Sequence, residues 1–265
     1  MNPSEVVVAG KPISEWLEHF RQNIDASIKV NRVEEQLIRI IHEDEKASNQ
    51  IWRIWEEETK GSGYEGTMTI VRSKIENVKF VPIRVVAPIE RWVVDHESFA
   101  IDHLLHEIGR LVSKRETSAM MQSLCNDVKD FTSNENRLTK VDVEKASDWI
   151  RSNGNFANTL VIHPLEYSAL IKHKEIIDAW QIRPIADREG KNFCGRIDGT
   201  NVFRTSAMKR EMALLYTKEE SSATRTRPNV HLDNPKYPKN IVVEEACTAW
   251  LFNKSVGATI VFKPA

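Results

Sequence analysis

The chain has 265 residues, with 37 Lys and Arg against 38 Asp and Glu, a formal net charge of −1, 41% hydrophobic and 28% charged residues. This is the composition of a globular protein with room for one large domain or two modest ones, and it excludes a histone-like binder that depends on a strong basic excess. Three cysteines in no C-x-x-C pattern argue against a disulfide framework, no run reaches the roughly 18 apolar residues of a membrane span, and the start MNPSEVVVAGKPISEW lacks a secretory pattern, so a soluble cytosolic chain is expected.

Residues 1–60 are acidic, with 8 basic and 12 acidic side chains, a net of −4 that leaves +3 for the remainder. Ser14 can cap a helix bearing Leu17, Phe20, Ile24 and Ile28 on one face, and Val33, Leu37, Ile40, Ile41, Ile51, Ile54 and Trp55 read as a second helical pattern. Such narrow stripes need cover, either from the rest of the globule or from a neighbouring subunit that the segment reaches as an arm. Lys60–Gly66, with three glycines, breaks the helix. TMTIVRSKI and ENVKFVPIRVV then read as a two-stranded ribbon turning near Ser73–Asn77, with Pro82 and Pro88 suited to edges.

From Asp95 to about Val128 the spacing predicts one helix. Ile101, Leu104, Leu105, Ile108, Leu111, Val112, Met120, Met121 and Leu124 fall at three- and four-residue intervals. Asp95 suits the cap and Glu97 the first turn, and Gly109 is a weak point within it. At 1.5 Å per residue the helix is roughly 45–50 Å long, so it must lie along something extended. Asp130–Arg137 is a polar boundary. Thr139 and Asp142 form a capping pair for a helix ended by Asn153–Gly154, TLVI (159–162) is a buried strand, and LEYSALIKH is a short helix. Asp198–Gly199 predicts a hairpin between FCGRI and TNVFRT. MALLYT, SATRTRPNVHL, IVVEEACTAWLF and ATIVF close the chain as strands.

Candidate chemistry is sparse. His96, His103, His106 and Glu107 share the long helix, but H-E-x-x-H fails because Arg110 stands where the second histidine would. The inverted form fails too, and surface or inter-subunit histidines are the simpler reading. Cys125, Cys194 and Cys247 lack ligand spacing and read as buried thiols. His163 reads as a helix-entry residue, and Arg225 and Arg227 of TRTRP as a solvated strand face. No phosphate loop or nucleophile motif occurs, so no catalytic residue, metal or cofactor is expected.

The order of elements resembles the major capsid proteins of tailed bacteriophages, with the Hong Kong 97-type fold. SGYEGTMTIVRSKIENVKFVPIRVVAPIERWVV is similar to the extended loop and its return, and DHESFAIDHLLHEIGRLVSKRETSAMM to the spine helix. FANTLVIHPLEYSALIKH and CGRIDGTNVFRTSAM are similar to parts of the axial domain, and VEEACTAWLFNKSVGATIVF to the last two strands of the peripheral sheet. The resemblance covers about 61–265. It implies an α+β fold with an N-terminal helical arm (1–60), an extended β-hairpin loop (61–90), a peripheral domain (91–130 and 213–265) and an axial domain (131–212).

The resemblance further implies a shell subunit, not an enzyme, that self-assembles into pentamers and hexamers of an icosahedral viral head. The head encloses double-stranded DNA by weak non-specific contact and is assembled in the host cytoplasm without a membrane, with a portal, scaffold or protease as further partners. Some relatives cross-link a loop lysine to a neighbour's asparagine, for which Lys74, Lys79 and Asn253 are the candidates. The alternative is an encapsulin, a nanocompartment shell of the same fold that holds a cargo enzyme and usually begins with a helix forming the interior cargo pocket, a start that the sixty residues before the ribbon do not clearly match. A third reading is a soluble metalloenzyme using His96, His103 and His106.

Overall fold

The computed structural model describes residues 7–8, 11–43, 50–60, 67–88, 98–178, 192–234 and 240–263. The expected cap Asp95, with His96 and Glu97, and the glycine-rich turn at 61–66 lie outside these. In chain order the elements are β1 (Val7–Val8), β2 (Lys11–Pro12), α1 (Ile13–Asn31), α2 (Glu34–Leu37), β3 (Arg39–Glu43), β4 (Gln50–Lys60), β5 (Thr67–Asn77), β6 (Val81–Pro88) and α3 (Ser98–Asp127). There follow β7 (Lys129–Thr132), α4 (Lys140–Ser152), β8 (Thr159–Ile162), α5 (Pro164–Lys172), β9 (Ile177–Asp178), β10 (Phe193–Ile197), β11 (Thr200–Arg204) and β12 (Met212–Tyr216). The last are β13 (Ser221–Arg225), β14 (Asn229–Leu232), β15 (Asn240–Leu251) and β16 (Gly257–Val261).

Helix α3 is one unbroken run of 30 residues. Leu105, Ile108, Val112, Met120, Met121 and Leu124 are buried, as their spacing predicts. Leu111 is exposed instead. The helix packs against β15 and β6 and against α1, so it buries more than one face. α1 begins at Ile13, which puts Ser14 inside the first turn, and Phe20, Ile24 and Ile28 join the core around α3. The α1 stripe is therefore covered within its own chain.

Two sheets share the core. In the first, β15 is central. β6 runs antiparallel along one side of it, β14 and β13 lie antiparallel on the other, and β3 is parallel to β13. The second has seven strands in the order β7-β16-β12-β8-β11-β10-β9. Alternation explains why its middle is apolar on both faces. Val161, Leu214 and Tyr216 point to the α3 core, whereas Leu160, Ile162, Ala213 and Leu215 join a second core with Val143, Ala146, Ile150 and Leu170 of α4 and α5. The capping box of Thr139 and Asp142 is present, and the Asp198–Gly199 turn has both residues at positive φ.

Several expectations are corrected. Among the described residues of the second helical pattern (33–55), only α2 is helical, while Arg39–Glu43 and the stretch from Gln50 onward are the strands β3 and β4. Ile51, Ile54 and Trp55 satisfy a helical spacing by coincidence, while β-branched and aromatic residues pair well across strands. The ribbon is β4 with β5, in register from Gln50↔Asn77 to Lys60↔Thr67. Strand β5 runs straight through Ser73–Asn77. Strand β6 leaves the ribbon and pairs with β15, because Ile83, Val85 and Ala87 need the α3 core. SATRTRPNVHL divides into β13 and β14. Only β15 of the two closing strands lies in the first sheet; β16, with β12, lies in the seven-stranded one.

Candidate functional site

The described histidines of the long helix stand on its exposed face. His103 and His106 are exposed on α3, and His106 Nδ1 lies 3.2 Å from the Ser27 hydroxyl. His96 lies outside the described residues, among which no group of three or more His, Cys, Asp and Glu side chains is arranged to hold a metal. Cys125, Cys194 and Cys247 are buried and unbridged, and burial pushes the Cys125 thiol up to about 11. His163 caps α5, its ring nitrogen accepting from Leu165 N at 3.2 Å. Lys74 and Lys79 are exposed. Asn253 is engaged in its own turn, where its side-chain oxygen accepts from Ser255 N at 3.0 Å and Oγ at 2.8 Å.

Two arrangements on the spine helix α3 stand out instead. The first is the root of the ribbon. Arg53 on β4 is 7% exposed. Its guanidinium makes a bidentate pair with Asp127 at the end of α3, at 2.6 and 2.7 Å, reaches Glu76 on β5 at 2.7 Å, and donates to Leu251 O. Lys254 lies 3.3 Å from the same aspartate. Hydrogen bonding to Arg53 holds the Glu76 carboxyl below its ordinary range. One planar fork thus ties both ribbon strands to α3 and β15, a geometry that lysine cannot reproduce. On the face of β5 opposite Glu76, Ile75 at the root and Val71 further out are 54% and 66% exposed. The register sets Trp52 opposite Ile75.

The second is the seat of α1–α2. Ser27 of α1 crosses α3 at Gly109. A Cβ on Gly109 would stand 2.5 Å from Ser27 Cβ, and Ser27 Oγ donates to His106 O at 2.7 Å. The weak point in the helix is thus a close-approach site. Two turns further along α3, Glu34 of α2, Glu116 of α3 and Glu245 of β15 are buried near Arg32 and Arg225. Arg225, read from sequence as part of a solvated face, is 1% exposed, because the pairing of β13 between β15 and β3 turns it inward. Its Nη1 lies 3.1 Å from Glu34 and 3.9 Å from Glu116, and its Nη2 lies 3.0 Å from Glu35. Arg32 is 3.5 Å from Glu116, and Thr117 Oγ1 donates to Glu34 at 2.7 Å. Burial, and then the Glu116 charge, push Glu34 up to about 7 and Glu245 up to about 9. One signal was present in sequence: Glu116 interrupts the apolar stripe four residues after Val112 and four before Met120. Glu34, Arg225 and Glu245 sit in charged runs that carry none.

No family model matches the sequence, and no curated protein matches it. Solved structures do. The virus-like particle from Pyrococcus furiosus is 12% identical, with a TM-score of 0.61 over 93% of this chain and 99% of that one. The holo-SrpI encapsulin complex from Synechococcus elongatus PCC 7942 is 11% identical, with a TM-score of 0.57 over 86% and 85%. Mycobacterium phage Patience is 9% identical, with a TM-score of 0.58 over 98% and 91%. The chain has the Hong Kong 97-type fold of capsid and encapsulin shells, with the α+β architecture and spine helix that the sequence led us to expect.

Proposed function

We propose that the chain is a shell subunit, self-assembling into the pentamers and hexamers of a closed icosahedral container, and that it is not an enzyme. The observation that carries this reading is the ribbon. Strands β4 and β5 form a sheet of their own, roughly 35 Å long at strand rise, and a free two-stranded ribbon is marginal in water. An elaborate buried anchor at its root, with apolar residues left open on the opposite face of β5, makes sense if a second copy covers that face. The division into an extended loop, a peripheral domain and an axial domain belongs to this proposal. So does a cytoplasmic site of assembly; among the described residues no helix is long and apolar enough to cross a membrane.

Negative-stain microscopy of the purified recombinant chain tests it. Hollow closed particles are expected. A stable monomer or dimer at high concentration, with no rings or shells in any salt, overturns it.

What the container holds is a second question. The seat of α1 favours an encapsulin-type nanocompartment. The α1 stripe is folded onto α3 of the same chain, as befits a starting helix that builds a cargo pocket, whereas an arm would leave that stripe for a neighbour. The viral head, with double-stranded DNA held by weak non-specific contact and a portal, scaffold or protease as partners, is the second reading, supported by the phage likeness. Particles isolated from the native source distinguish the two: co-purifying enzyme without nuclease-protected DNA supports the nanocompartment, and the reverse supports the head.

A further inference from the structure

The buried carboxylates at the α1–α2 seat have no part in the ribbon or in its anchor. Glu34 and Glu116 face two guanidinium groups, Arg32 and Arg225, and Glu245, buried on β15, lies within electrostatic reach of Glu116 and of both arginines. Among the described residues, the three buried carboxylates, fully ionised, exceed the two guanidinium groups by one charge, and Glu35 at the rim draws on the same arginines, so full ionisation is costly. Among the described residues, the Glu116 and Glu245 carboxylate oxygens have no donor in hydrogen-bonding geometry. Two carboxylates cannot bond to each other, but a carboxylic acid beside a carboxylate can. One proton therefore settles both the charge and the bonding.

Among the described residues, the following groups face the set. From the α1–α2 joint come Arg32, Glu34 and, at the rim, Glu35. From α3 come Glu116 and the hydroxyl of Thr117. β13 supplies Arg225, and β15 supplies Glu245 with the Cys247 thiol, which donates to Glu116 O at 3.8 Å. Of these elements, α3 and β15 are central to the fold, whereas the joint of α1 and α2 lies on top. Lifting of that joint, at whose rim Glu35 is already 52% exposed, would open the set to water with the core intact.

We propose that the cluster is a proton-operated latch, which fastens the α1–α2 segment to the spine helix while one proton is shared between Glu116 and Glu245 and releases it when that proton leaves. The raised position of Glu245 puts this release on the alkaline side. A group raised in the closed state loses its contribution as pH climbs from the ordinary carboxyl range to its closed-state value, so opening grows by up to about tenfold per pH unit up to that value and levels off beyond it. The Tyr216 hydroxyl, which donates to Leu37 O at 2.8 Å, and the apolar stripe of α1 oppose opening. The latch does not depend on the proposed function; it is a property of the single chain.

Limited proteolysis at about pH 7.5 and about pH 9.5 tests it, with a protease active at both and a disordered peptide as the rate standard. Cleavage between Asn31 and Ile41 is expected to quicken by about tenfold or more in the wild-type chain, while the strands β8 and β12 stay uncut. Glu245→Gln, which keeps a neutral hydrogen-bonding side chain, should reduce the change to under about twofold. Glu116→Gln is the second variant and should act alike. The proposal is overturned if the wild type shows no acceleration, if either folded variant accelerates as much as the wild type, or if β8 and β12 are cut in step with the joint.

Discussion

Gly109 and Arg53 are the residues on which most geometry hangs. An added methyl at Gly109 has nowhere to go, since Ser27 Cβ and Oγ stand 2.5 and 2.6 Å from its position. Gly109→Ala should cost about 1–3 kcal/mol despite the better helix propensity of alanine. In denaturant unfolding, Ser27→Gly should recover part of that loss, a coupling of about 1 kcal/mol in the double-mutant cycle. Simple additivity would show that the helices do not meet here. Arg53→Ala removes the guanidinium that Asp127 and Glu76 share and leaves them only the exposed Lys254 and Lys74, and a loss of about 3 kcal/mol is expected by the same measurement. Arg53→Lys should restore only part of it, because the ammonium cannot span both carboxylates and Leu251 O. Gly109 was visible in sequence only as a flaw, and Arg53 was hidden in a false helical pattern. Neither role can be read locally, because each depends on a residue more than seventy positions away.

At the scale of elements, α3 was legible because 30 residues of period 3.6 leave few alternatives. Its buried stripe makes two predictions. Ile108→Asp places a charge in the core and should abolish cooperative folding, read as loss of the thermal transition. His103→Gln, on the exposed face, should melt within about 0.5 kcal/mol of the wild type. The segment 33–60 was misread because short runs such as IWRIW fit both periods, and partners distant in sequence decided the outcome. β3 has β13 and β4 has β5. The same holds for β6, whose burial against α3 separates it from the ribbon it seemed to continue.

For the whole molecule, assembly and stability should be separable. Replacing Val71 and Ile75 by Asp changes exposed positions on the face of β5 opposite Glu76, so the monomer should melt nearly unchanged. If the ribbon face is an interface, the same variant should form no closed particles by microscopy; intact shells would show that another surface drives association. A third expectation concerns pH. With Glu34 raised to about 7 and Glu245 to about 9, the folded chain holds protons that the unfolded chain has released above its ordinary carboxyl range. Stability contributed by these groups is therefore complete below the ordinary carboxyl range and declines as pH rises above it, the Glu34 part ending near 7 and the Glu245 part near 9, by up to about 1.4 kcal/mol per unit for each proton. Thermal melts between pH 6 and pH 10 should show that decline, and Glu245→Gln should flatten its alkaline part.

Sequence alone determined the features that rest on local periodicity and turn chemistry: the long helix, the capped helix after Thr139, the buried TLVI strand, the Asp198–Gly199 hairpin and the order of parts that resembles a shell protein. The tertiary structure alone decided which strands pair, that the ribbon begins at residue 50, that α1 lies on its own spine helix, and that three glutamates and two arginines of scattered position meet out of water. The division has one physical cause. Backbone period is set by neighbours along the chain, whereas strand pairing and charge burial are set by groups brought together only when the core closes.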